Sequence, residues 1–143
     1  MMPEKVIALQ TQMAEDWKVT AQVRKHELVI DQPSGTDEGA TPLEMFIFSL
    51  GGCISTIAKM VAREKGIIIK RFDVNMSAII NTDGLLGKET ADPVGFKSID
   101  IQAIIDADLT LLEKQDFLDI VCHRCPIHDN LLNPTLVTHS AGA

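Results

Sequence analysis

The sequence predicts a single α+β domain, and three observations carry that prediction. Short alternating, β-branched segments dominate the region before Gln32-Pro33; one long apolar stretch follows a helix-start signal; two more strand-like segments then precede a shorter helix. The order is βββ-α-ββ-α with a candidate last strand, and strands grouped apart from helices in this way mark the α+β class. A chain of 143 residues is the usual size of one domain with one core, so 1–143 is read as one unit.

Val6 to Met13, Lys18 to Val23 and His26 to Asp31 alternate in the strand manner, and the last stops at Gln32-Pro33-Ser34-Gly35. After a polar loop, Thr41 is placed to cap a helix, with Pro42 at its first position and Glu44 three residues after the cap, a capping box. That helix runs to about Lys65, where Gly66 supplies a left-handed stop. Apolar residues cover most of its circumference, so it is expected to be enclosed on all sides, with a second subunit supplying part of the cover. Ile67 to Ile69 with Arg71 to Ile80, and Lys97 to Ile105, read as strands on either side of a long loop with three Gly and one Pro, Asn81 to Gly95. Leu109 to Cys122 has helical spacing, Pro126 interrupts or restarts it, and Thr135 to Thr138 is a candidate edge strand.

The composition narrows the function classes. A formal charge of −7, with no basic block, argues against nucleic acid or an anionic membrane surface as the main partner. The apolar stretch Met45 to Val61 holds Lys59 and Gly51-Gly52 and falls short of the roughly 20 residues of a spanning helix. It reads as a buried helix. Met1-Met2-Pro3-Glu4-Lys5-Val6 has no secretory pattern, and three cysteines do not make a secreted disulfide scaffold, so a reducing cytoplasm is expected.

The cysteines carry the chemistry. Cys53 follows Gly51-Gly52 in the long helix, and Cys125 lies seventy-two positions later in Cys122-His123-Arg124-Cys125-Pro126-Ile127-His128. Taken alone, Cys53 fits either a small core hydrophobe or a reactive thiol, and the second needs a cation that its own helical turn does not supply. Cys122-x-x-Cys125-x-x-His128 has part of a zinc pattern but no second close pair to complete four ligands. No metal or cofactor is expected.

Thr41-Pro42-Leu43-Glu44, Leu50-Gly51-Gly52-Cys53 and Cys125-Pro126-Ile127-His128 together resemble the OsmC/Ohr family of small thiol peroxidases, over roughly Val19 to Leu131 and on its OsmC-like branch. The resemblance implies antiparallel sheets around a long central helix and an intertwined homodimer with its active sites at the subunit interface. It implies Cys53 as the peroxidatic and Cys125 as the resolving cysteine, with disulfide formation. An organic hydroperoxide is the implied substrate, and an external dithiol or lipoylated protein the reductant. It calls for an arginine from the N-terminal strands, for which Arg24 is the candidate, its other reading being an exposed hairpin charge. It also calls for a glutamate directly after the helix-opening proline. Here Leu43 holds that place and Glu44 comes one later, about 100° further round the helix and about 13 Å along it from Cys53. Glu44 therefore stands both as a candidate catalytic residue and as the capping partner of Thr41. The departure keeps open a second function, a non-catalytic dimeric binding protein for a small apolar or thiol ligand.

Overall fold

The computed structural model describes residues 3–143, in two units: an N-terminal one ending at Phe48 and a second from Ser49 to Ala143. In the first unit, β1 (Thr11–Met13), β2 (Val19–Val23) and β3 (His26–Ile30) form an antiparallel sheet in chain order. Pairing of Val23 with His26 leaves Arg24 and Lys25 as a two-residue hairpin turn, and Arg24 takes a left-handed φ of 54° there. The carbonyl of Arg24 accepts a hydrogen bond from Gln22 Nε2 at 3.0 Å, which holds a turn conformation that non-glycine residues seldom adopt. Of the stretch Val6 to Met13 only the last three residues form a strand. β1 meets β2 through Thr11–Ala21, Gln12–Thr20 and Met13–Val19, whereas Val6 and Ile7 pair with no strand among the described residues and lie exposed.

Beyond β3 the polar loop is organised by one buried carboxylate. Asp31, 1 % exposed, accepts hydrogen bonds from the Thr36 hydroxyl and from the backbone N–H groups of Gln32 and Glu38. These bonds, the Thr36 hydroxyl's first, hold the Asp31 carboxyl below the usual range, so it remains charged and keeps its three donors. The loop delivers the chain to Thr41, where the capping box forms as expected: Glu44 N–H donates to Thr41 Oγ1 at 3.2 Å and Thr41 N–H to Glu44 Oε1 at 2.9 Å.

The helix opened by this box, α1 (Pro42–Lys65), ends at Gly66 with φ 68°, a value glycine adopts without penalty. It has the expected extent of 24 residues, and by length and composition alone it is sufficient to cross a membrane. In the second unit a stripe of it, Leu50, Gly51, Ile54, Ala58, Val61 and Ala62, is instead buried in a protein core. This stripe packs with β4 (Ile69–Ile80) and β5 (Phe96–Ala107), an antiparallel ribbon joined by the loop 81–95, and with α2 (Leu111–Arg124). Phe72, Val74, Met76 and Ala78 stand opposite Ile105, Ala103, Ile101 and Ile99, so both strands turn their apolar sets to the same side. Gly51 leaves room where helix and ribbon meet: an added Cβ would lie 2.5 Å from Met76 Cε, and the flexible end of that side chain would have to move.

Within the single chain one stripe of α1 is covered, and Phe46, Phe48 and Met60 lie at 42 %, 69 % and 49 % exposure, the part of the surface for which the sequence calls on a second subunit. The candidate edge strand at Thr135 to Thr138 is corrected. Residues 134–143 hold no regular structure, the Thr135 hydroxyl being taken up by the Asn130 side chain, and Leu136 and Val137 are exposed.

Each fully buried aliphatic side chain of the α1 stripe contributes roughly 1.5–3 kcal/mol of transfer free energy, to which a cavity cost adds on truncation. Ile54→Ala is expected to lower unfolding free energy by about 2–5 kcal/mol in urea titrations. Ser77→Ala, on the open side of the ribbon, is expected to change it by less than about 0.5 kcal/mol.

Candidate functional site: the thiol pair of the second unit

Cys53 sits one residue before Ile54 in the buried stripe of α1 and is itself half-buried. Cys125 is fully buried, and the reason lies in its place between two helices. Its backbone, at φ −80° and ψ 115°, is extended, ending α2 and preceding α3 (Pro126–Leu132). Pro126 takes the first position of α3, where its missing N–H costs nothing, so the expected interruption is a restart. The Cys125 N–H donates to the Cys122 carbonyl at 3.3 Å, and the Cys125 carbonyl accepts from Asp129 N–H at 2.9 Å. The kink turns the side chain into the core beside Val121 and Phe117 rather than outward.

There the Cys125 side chain comes within hydrogen-bonding reach of Cys53. Two sulfurs separated by seventy-two residues thus share one site. Burial, followed by the hydrogen bond to Cys53, pushes the Cys125 thiol up to about 11. The backbone N–H groups of His128 and Ile127 face the sulfur and oppose that rise, without closing a cap hydrogen bond. At neutral pH Cys125 is therefore a neutral S–H donor and a poor nucleophile. The two sulfurs differ in burial before any oxidant arrives.

The remaining sequence candidates are placed as follows. Arg24 and Glu44 belong to the N-terminal unit, Arg24 exposed at the β2–β3 turn and Glu44 in the capping box. The hydrogen bonds from Thr41, the backbone one first, hold the Glu44 carboxyl below its usual range. Cys122 is half-buried and lines a hollow of about 230 Å³ with Asp119, His123, His128, Asp129 and Leu132. Burial, then the charge of Asp119, pushes its thiol up. Among the described residues, no three His, Cys, Asp or Glu side chains gather to hold a metal ion.

One contributor was not singled out from the sequence. Arg124, immediately before Cys125, forms a bidentate pair with Glu64 in the last turn of α1, at 2.7 Å and 3.0 Å. The pair lowers the Glu64 pKa and raises that of Arg124, chiefly through the hydrogen bonds themselves. A single exposed ion pair adds little stability. This one is placed to fix the end of α2 against the end of α1 and so the start of the Cys125 kink. Its only sequence signal was adjacency to the cysteine.

With this geometry established, comparison with known proteins is decisive on family. A family model described as OsmC-like protein matches residues 35–140. The chain belongs to the OsmC-like family. The OsmC-like chain is 27% identical over 118 residues to a protein of Mycoplasma pneumoniae named hydroperoxide reductase, spanning 82% of this chain and 80% of that relative. It is also similar to the crystal structure of an OsmC-like protein from Mycoplasma pneumoniae, with TM-score 0.81 and 25% identity, covering 93% and 91% of the two chains. The fold extends to the organic hydroperoxide resistance protein OhrB of Bacillus subtilis, with TM-score 0.59, 17% identity and coverage of 89% and 90%. The expected α+β class and OsmC-like architecture are therefore met.

The state of the Cys125 thiol can be titrated. Because the bond to Cys53 raises the Cys125 pKa, Cys53→Ala is expected to lower it from about 11, while burial keeps it above that of a free thiol. Thiolate absorbance or alkylation rate followed against pH checks this, and an unchanged or higher value in the variant would rule out the bond.

Proposed function

We propose that the chain is a thiol-dependent peroxidase for organic hydroperoxides, with Cys53 the attacking and Cys125 the resolving cysteine. The observation that carries this reading is the meeting of the two sulfurs, with Cys125 held as a neutral donor toward Cys53. The names of relatives, hydroperoxide reductase and organic hydroperoxide resistance protein, support it.

The chemistry follows in balanced steps. The Cys53 thiolate attacks the terminal oxygen of the hydroperoxide, the O–O bond breaks, and the departing alkoxide takes a proton to leave as alcohol. Cys53 is then a sulfenic acid. The Cys125 sulfur displaces its oxygen, which leaves as water with the Cys125 proton, and a Cys53–Cys125 disulfide forms. An external dithiol, in the family's manner carried on a lipoylated protein, reduces the disulfide and is itself oxidised. Burial of Cys125 suits its role, since a neutral resolving thiol does not compete for peroxide but has a proton to give.

In this scheme Arg24 holds the Cys53 thiolate and polarises the peroxide, its left-handed backbone being the kind of strain that accumulates at functional turns. Glu44 contributes by fixing the start of the helix that carries Cys53. The working form is a homodimer with the site at its interface, its partner covering apolar side chains that α1 leaves exposed on either side of its buried stripe, Phe48 on one side and Met60 on the other. A reducing cytoplasm supplies the dithiol.

Reduced protein treated with cumene hydroperoxide is expected to lose two of its three thiols per chain, with Cys53→Ser losing none. Unchanged thiol counts in the wild type would overturn the reading and favour a binding function. Phe48→Asp is expected to convert the dimer to monomer at micromolar concentration in analytical ultracentrifugation; a variant that remains dimeric removes this face from the interface.

A further inference from the structure

Cys122 has no part in the two-cysteine cycle, yet it begins the Cys-x-x-Cys turn that ends at the resolving thiol. Cys125 is 0 % exposed, so an external dithiol meets the Cys53–Cys125 bond only at Cys53, itself half-buried. Cys122 is likewise half-buried, and it opens into the hollow of about 230 Å³ between α2 and α3. The hydrogen bond from Cys125 N–H to the Cys122 carbonyl, at 3.3 Å, closes a single turn between the two. A turn so closed brings the first and fourth Cα atoms within about 7 Å, the separation at which a disulfide can form. We propose that Cys122 is a relay thiol that takes over the disulfide from Cys53 and presents it to the reductant at the α2–α3 hollow. The proposal rests on the peroxidase reading above, which supplies the Cys53–Cys125 disulfide.

The step is thiol–disulfide exchange with no net change of oxidation state. Cys122 gives its proton to solvent and attacks the Cys125 sulfur; the Cys53–Cys125 bond breaks as the Cys122–Cys125 bond forms, and Cys53 leaves as a thiolate. The departing thiolate is the form that meets the next hydroperoxide. The external dithiol then attacks Cys122, releases Cys125 as a thiol, and closes its own disulfide. Burial and the Asp119 carboxylate make Cys122 a slow nucleophile, which orders the events: peroxide reacts at Cys53 first and the relay follows.

The sequence makes the exchange directly readable. Trypsin places the three cysteines on three peptides, His26–Lys59, Gln115–Arg124 and Cys125–Ala143. Fully reduced wild-type protein is mixed with one equivalent of cumene hydroperoxide, blocked with N-ethylmaleimide at successive times, and digested without reduction for mass spectrometry. The first cross-link expected joins His26–Lys59 to Cys125–Ala143, and it is replaced in time by one joining Gln115–Arg124 to Cys125–Ala143. Cys122→Ser is expected to stop at the first link and to be reduced by dihydrolipoamide at least about tenfold more slowly. A first link that persists in the wild type, with the serine variant reduced at the wild-type rate, overturns the relay and leaves the peroxidase intact. No cross-link of any kind overturns both. The wild-type time course decides the matter even if the variant folds poorly.

Discussion

The seating of one face of α1 in the ribbon and helices of the second unit is the constraint on which its geometry depends. Leu50, Ile54, Ala58 and Val61 recur at helical spacing and are excluded from water almost completely. Gly51 lets the helix approach the ribbon closely at Met76, and the ribbon answers with an unbroken apolar register from Phe72–Ile105 to Ala78–Ile99. Once the stripe is buried, the rotation of α1 is fixed. Cys53, next to Ile54, then has one place available, at the margin of the core.

The second thiol reaches that place by a different device. A continuous helix through Cys122 and Cys125 would set both on one face, three residues apart. Pro126 prevents continuation by lacking the N–H that the next turn needs, so the chain opens at Cys125 and restarts as α3. The opening drives one sulfur fully inward and leaves the other half-exposed. Two cysteines of the same motif thereby acquire different chemistry, one beside Cys53 and one beside a polar hollow. The Arg124–Glu64 pair holds the junction at which they diverge.

The N-terminal unit shows local order achieved by polar groups rather than by a core. Asp31 gathers three donors and sets the course of the loop that leads to the Thr41–Glu44 box. Much of this was legible in advance, since capping boxes, glycine stops and proline restarts are short-range events written in adjacent residues. Strand extent was not. Val6 to Met13 has strand composition, yet only Thr11 to Met13 pair with β2, and Gln22 and Val23 of β2 pair with β3 alone, so composition does not set where pairing stops. The same holds for Thr135 to Val137, which has the composition but no pairing.

Sequence by itself determined the class of fold, the order of elements, both ends of the long helix and the two cysteines offered as candidates for thiol chemistry. These follow from periodicity, caps and residue chemistry, each a property of a short window of chain. Tertiary structure alone decided that those thiols meet, that Cys125 is sealed from solvent while Cys122 is not, and that Arg124 grips Glu64. Such facts depend on how helices and ribbon pack across sixty or more residues. No local pattern encodes a distance of that kind, because burial and neighbouring charge are set only when the core closes.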